Sequence, residues 1–248
     1  MNSLPQIKNH IISTKPDNIN ILFALFMFCA IFGLIGIIAY LSNNIDTKKI
    51  ESESFINKKT IILLGDSLLN NSKYVPSGES VYDLISEKNN VTVINYAMDD
   101  SSISNVYNQL NKISIDFNDS NTFIFLSVGG NDLLKSNTLS DTDLNKLIEK
   151  YNLLVNSIES RLPFANLVLL TLFYPPDTNS NSNSNSDTIT FKNYYKYIEI
   201  WNNNIISNHK KYIDLSALIN SNDDLIENIE PSVIGGKKIA SAIYTYIN

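Results

Sequence analysis

A chain of 248 residues with 44% hydrophobic and 18% charged side chains can bury a sizeable core, which excludes a disordered protein. Nineteen basic against 25 acidic side chains give a net charge of −6, so the basic footprint of a nucleic-acid binder is missing and no nucleic-acid partner is expected. One cysteine, Cys29, and two histidines, His10 and His209, exclude an intrachain disulfide framework, a cysteine-built zinc site and a multi-histidine metal centre.

Residues 1–20 form a short polar leader. Residues 21–41, ILFALFMFCAIFGLIGIIAYL, carry no charge. At about 1.5 Å per residue such a helix is about 31 Å long, the thickness of a bilayer's hydrocarbon core. The run is longer than the apolar core of a cleaved signal peptide, and Ala39-Tyr40-Leu41 makes a poor cleavage site. A single-pass signal-anchor is therefore expected, with the bulk of the chain beyond the span and outside the cytosol. Lysines lie on both sides of it (Lys8 and Lys15 before, Lys48, Lys49, Lys58 and Lys59 after), so charge alone does not set the orientation. Sequons at Asn70, Asn90 and Asn118 are compatible with a lumenal domain.

Residues 42–59 are polar and mixed in charge and read as a linker. From residue 60 to 248, apolar runs at 60–64, 91–95, 122–128, 167–172 and 212–215 predict buried strands. Helical patterns at 80–88, 104–113, 141–161, 190–208 and 232–246 follow them in turn. This alternation builds one α/β domain around a parallel sheet covered on both faces. Residues 179–186 are a pure Asn-Ser run, expected to be a surface loop.

Two segments carry chemistry. Gly65-Asp66-Ser67-Leu68 directly follows the first strand, at the carboxyl edge of the sheet where doubly wound folds bind ligands. It is not a G-x-S-x-G elbow. After the third strand comes Gly129-Gly130-Asn131-Asp132, in which the glycines permit close backbone approach and Asn131 offers an amide to a developing oxyanion. Each segment alone reads equally well as a turn followed by a helix cap.

Together, GDSL after strand one and GGND after strand three resemble the SGNH hydrolases, the GDSL-type lipases and esterases, over nearly all of residues 60–248. The resemblance implies a three-layer α/β/α sandwich with a five-stranded parallel sheet in the order 2-1-3-4-5, preceded here by one transmembrane helix. It implies Ser67 as nucleophile, with an oxyanion hole from the backbone of Ser67 and Asp100 and the side chain of Asn131. Asp100 stands where the family has glycine. The family's closing Asp-x-x-His-Pro block matches Glu227-Asn228-Ile229-Glu230-Pro231, so Glu227 takes the place of the aspartate and Glu230 that of the catalytic histidine. Neither His10, ahead of the apolar run, nor His209, at the opposite sheet edge, replaces it.

The resemblance implies a membrane-anchored serine esterase acting on acyl or acetyl esters of lipid or carbohydrate, with no cofactor and no metal. Two alternatives stand beside it. One is an inactive member whose cleft binds an acyl or glycan ligand; the other is a purely structural use of the fold. A Glu near its reference pKa of about 4.3 is a poor base at neutral pH, although two nearby carboxylates, Glu227 and Glu230, would push one of the pair upward and make Glu230 a better base. The sequence alone therefore leads one to expect weak turnover at pH 7, raised by Glu230→His.

Overall fold

Five short apolar segments pair side by side into one parallel sheet in the order β2-β1-β3-β4-β5. The computed structural model describes residues 23, 25–42, 58–135, 139–175, 187–227 and 229–248, with the side chains of 187–193 left undescribed. The chain divides into two units, Met1–Ile56 and Asn57–Asn248. In the first, the described residues form helix α1, Leu25–Ser42, with a mean hydropathy of 2.4 and none of it buried. By length and composition α1 can cross a membrane, and a signal sequence passes the same test. The expected leader, most of the linker and the Asn-Ser run lie outside the described residues.

In the second unit, β1 (Lys59–Gly65) is the hub, pairing with β2 (Val91–Asn95) on one side and β3 (Thr122–Ser127) on the other. Ile61 to Leu64 are wholly buried, as a continuous apolar run in a doubly covered parallel strand must be. Next to β3 come β4 (Asn166–Leu170) and β5 (Tyr212–Ile213). The helices are α2 (Val81–Ser86), α3 (Ile103–Leu110), α4 (Gly130–Leu134), α5 (Asp141–Arg161), α6 (Asp187–Asn208), α7 (Leu215–Leu218) and α8 (Val233–Ile247). Trp201 of α6, 1% exposed, packs on Tyr151 of α5 with ring centroids 4.9 Å apart.

Three strands end earlier than hydropathy predicts, two of them because a side chain captures the backbone. β4 stops at Leu170 because Asn202 of α6 bonds both the N–H and the carbonyl of Leu172, at 2.8 and 2.7 Å. β5 has two residues, because Asp214 accepts from Thr171 Oγ1 and from the Ser216 N–H and so caps α7. β3 stops at Ser127, whose carbonyl accepts the Asp66 N–H, and Gly129 then turns the chain with φ 116°. A Cβ at Gly129 would stand 2.2 Å from the Trp201 ring, so this turn needs glycine for space as well as for conformation.

A two-stranded antiparallel hairpin, β6 (Leu225–Ile226) with β7 (Glu230–Pro231), has no signal in the hydropathy pattern. Asp224 pins it, accepting from Asn220 N, Ser221 N and Lys238 Nζ.

Candidate active site

The sheet's carboxyl edge collects residues from four segments. At the end of β1 the chain turns sharply, with Leu69 N–H and Asn70 N–H both bonded to the Asp66 carbonyl. Gly65 permits this with φ 126°, and a Cβ there would lie 1.6 Å from the Ser127 carbonyl oxygen. Ser67 is thereby presented at the mouth, 8% exposed. Its Oγ donates to Glu230 Oε1 at 3.1 Å, across 163 residues of sequence. The sequence alignment that put Glu230 at the end of the chain's last loop thus corresponds to a direct contact.

Asn131, in the first turn of α4, lines the same cleft as Ser67 and Glu230. One of its amide N–H groups donates to the Ser101 carbonyl at 3.0 Å. Asp100 adopts φ 57°, the left-handed conformation that its glycine counterpart in the family would hold at no steric cost. Glu227, in the hairpin turn, is exposed with φ 53° and makes no hydrogen bond to Glu230 among the described residues. It acts on Glu230 through its charge, and the position held in the family by the histidine's aspartate partner is here not a bonding contact. His209 follows α6 and borders a hollow with Leu167 and Lys211, where β4 and β5 begin, away from Ser67. His10 lies outside the described residues.

Burial dominates the electrostatics. It pushes the Glu230 carboxyl up to about 7; the Ser67 hydrogen bond opposes this, and the charges of Asp99, Asp100 and Glu227 reinforce it. Asp66 is wholly enclosed and is likewise raised to about 7 by burial and by the Glu230 charge, against hydrogen bonds from Leu68 N–H and Ser127 Oγ. Two such neighbours titrate as a pair rather than singly. Burial also works upward on Asp99, but the hydrogen bonds of Lys73 and Tyr74 hold that carboxyl below its ordinary value.

Three further residues support the site, and of them only Asp132 lies in a motif of the sequence. Gln109 of α3 bonds both the N–H and the carbonyl of Gly65 and reaches Ser101 Oγ, tying the Ser67 turn to the loop after β2. Asn71, fully buried, accepts from Val81 N and donates to the Pro231 carbonyl, which joins that turn to the strand bearing Glu230. Asp132 accepts the Ile103 N–H at the start of α3. A buried amide on an otherwise apolar helix face was the available clue for Gln109.

The cleft has a volume of about 50 Å3 and is walled by Leu134, Leu172, Phe173 and Tyr194 beside the polar groups. A serine just beyond the first strand, a buried carboxylate accepting from its Oγ and an asparagine side chain line one cleft at the carboxyl edge of a 2-1-3-4-5 sheet. The profile of the GDSL-like Lipase/Acylhydrolase family matches residues 61–229. The chain belongs to that family, within the SGNH hydrolases.

Solved structures agree on the fold. A lipase, Lip_vut3, from a goat rumen metagenome superposes with a TM-score of 0.60 at 17% identity, over 76% of this chain and 97% of that one. The phospholipase A1 of Streptomyces albidoflavus NA297 gives 0.57 at 14%, over 76% and 99%. The acetyl xylan esterase AlAXEase gives 0.57 at 16%, over 75% and 98%. No curated protein is matched by the sequence.

Proposed function

We propose that this chain is a serine ester hydrolase held at a membrane by residues 21–41, with Ser67 as nucleophile and Glu230 as the base that replaces the family's histidine. The observation that carries this reading is the 3.1 Å hydrogen bond from Ser67 Oγ to Glu230 Oε1 inside the cleft. A general base works best with a pKa near the operating pH, and burial brings this carboxyl to about 7. The weakness expected of a Glu near 4.3 therefore does not apply to Glu230.

In the acylation step Ser67 Oγ attacks the ester carbonyl carbon while its proton passes to Glu230 Oε1. The carbonyl oxygen takes up the negative charge, facing the Asn131 amide and the backbone N–H groups of Ser67 and Asp100. The intermediate collapses by breaking the bond to the alcohol oxygen, which receives the proton from Glu230 and leaves. Water then attacks the acyl-serine, again losing its proton to Glu230, and the proton returns to Ser67 Oγ as the acid departs. Nothing in this sequence calls for a cofactor.

The small volume of the cleft favours short acyl groups. A cavity needs about 10–15 Å3 to hold one water, so some 50 Å3 accommodates an acetyl or propionyl group, and a longer chain would have to extend out of the cleft. The test is a pH-profiled assay of the full chain in detergent with 4-nitrophenyl esters. Acetate is expected to be hydrolysed with a kcat/KM at least about tenfold above octanoate. Preference for octanoate would contradict the short-acyl reading, and absence of hydrolysis of any ester between pH 6 and 9 would favour an inactive, ligand-binding member. The anchor is tested separately: the full chain should stay with membranes through alkaline carbonate, and a mature N-terminus beyond Ser42 would refute it.

A further inference from the structure

Two glycines precede Asn131, and the fold requires only the first. Gly129 carries φ 116°, and a Cβ there would stand 2.2 Å from the Trp201 ring. Gly130, the first residue of α4, has no positive φ. A Cβ at Gly130 would meet one atom within 4 Å outside its own helix and chain neighbours. That atom is Leu172 Cδ2, at 3.7 Å, an ordinary van der Waals contact. Glycine loses more conformational freedom on folding than alanine does, so a glycine that neither backbone nor packing needs is a net cost. The space its missing side chain leaves is cleft: Gly130 is half-buried and lines it together with Leu172, next to Asn131.

Leu172 is fixed opposite Gly130 from behind. Asn202 of α6 accepts the Leu172 N–H at 2.8 Å and donates to its carbonyl at 2.7 Å, as a neighbouring strand would. Asn202 is buried, and Trp201 beside it packs on Gly129. Two consecutive residues of α6 thus hold both walls, the turn that leads into Gly130 and the leucine facing it. Leu172 is itself buried in the core, so the gap between the two is set by the fold and does not vary with a surface side chain.

Acyl transfer orients a substrate in this gap. The ester carbonyl oxygen faces Asn131, and the leaving oxygen takes its proton from Glu230. The acyl chain leaves the carbonyl carbon in a third direction. We propose that it runs between Gly130 and Leu172, which makes these two the residues that determine acyl length. This rests on the ester-hydrolase reading and deepens it by assigning the selectivity to named side chains. A methyl group added at position 130 takes room from a cleft of about 50 Å3, and truncating Leu172 returns room on the facing wall.

The test uses the full chain in detergent and reads the ratio of kcat/KM for 4-nitrophenyl butyrate to that for 4-nitrophenyl acetate. One methylene in a fitted pocket is worth about 10–200-fold, so Gly130→Ala is expected to lower the ratio about tenfold. Leu172→Ala should raise it about tenfold, and Leu172→Val, which removes less, serves where the alanine variant does not fold. General loosening of the site would move both variants the same way. Thermal melting of Gly130→Ala is read alongside and needs no activity: its Tm should equal or exceed that of wild type, as for a glycine that the fold does not need. A ratio unmoved by both substitutions, or moved in the same direction by both, overturns the proposal. So does a clear fall in Tm for Gly130→Ala, which would give that glycine a packing role. Absence of any ester hydrolysis by wild type sinks the hydrolase reading and this proposal with it, whereas hydrolysis with an unmoved ratio sinks the Gly130–Leu172 pair alone.

Discussion

Replacing Glu230 by Gln is expected to lower kcat/KM for a short-chain ester by about 10²–10⁴ at pH 8, the usual contribution of a positioned general base. Gln keeps the shape and the acceptor oxygen that Ser67 Oγ donates to, so the loss measures the missing base and not a lost contact. Ser67→Ala should remove most of the activity, leaving only the residual that the oxyanion donors and substrate binding supply. The wild-type profile carries the sign of the assignment. Glu230 must be ionised to accept the serine proton, and its carboxyl sits at about 7. The rate therefore climbs about tenfold per pH unit below that value and levels off above it. Asp66 titrates in the same range, so the midpoint belongs to the pair. The Gln variant should show no such limb. A wild-type profile that is flat through pH 7, or a Gln variant as fast as wild type, would remove Glu230 from the mechanism. Glu230→His, which from sequence alone is expected to raise a weak activity, has less to correct once burial has matched the carboxyl to neutral pH.

The fold was legible because its signals are local. Five apolar runs separated by helical periodicity specify a covered parallel sheet, and the order 2-1-3-4-5 followed from the resemblance carried by residues 65–68 and 129–132. Two of the misplaced strand ends share one cause: Asn202 and Asp214 take over backbone groups that hydropathy assigns to a ladder, whereas β3 ends at the Gly129 turn. The hairpin bearing Glu230 escaped notice because two-residue strands leave no periodic trace. At the site, Ser67 and Asn131 could be named from their motifs, and Glu230 from the alignment of the last block. What burial does to Glu230 could not be read, because it depends on Leu172 and Phe173 from the segment after β4 and Tyr194 of α6 arriving to wall the cleft. Asp66 was passed over for the same reason: its place beside Ser67 suggested a cap, and only its full enclosure makes it a partner of Glu230.

The same enclosure makes the site a source of instability at neutral pH, and removing the charge should expose it. Glu230 binds its proton more tightly in the folded chain, with the carboxyl raised from 4.5 to about 7. The stability this contributes is full below the unfolded value, falls as pH rises between the two, and is gone above about 7. Asp66, raised from 3.8 to about 7, acts in the same direction. Glu230→Gln carries no proton to lose, so it should match wild type near pH 4 and exceed it at pH 8 by roughly 2–3 kcal/mol. For a domain of this size that corresponds to a Tm difference of roughly 4–12 °C. Trp201, the chain's single tryptophan, is buried against the Gly129 turn and reports on unfolding of this unit without a contribution from α1. Thermal melts followed by its fluorescence at pH 4, 6 and 8 are the measurement. A gap that widens with pH, together with lost activity, identifies Glu230 as a carboxylate kept in an unfavourable place for its chemistry. A Tm difference that stays constant from pH 4 to 8 would show that the folded and unfolded chains hold this proton equally well, and the case for Glu230 as a base poised near neutral pH would fall with it.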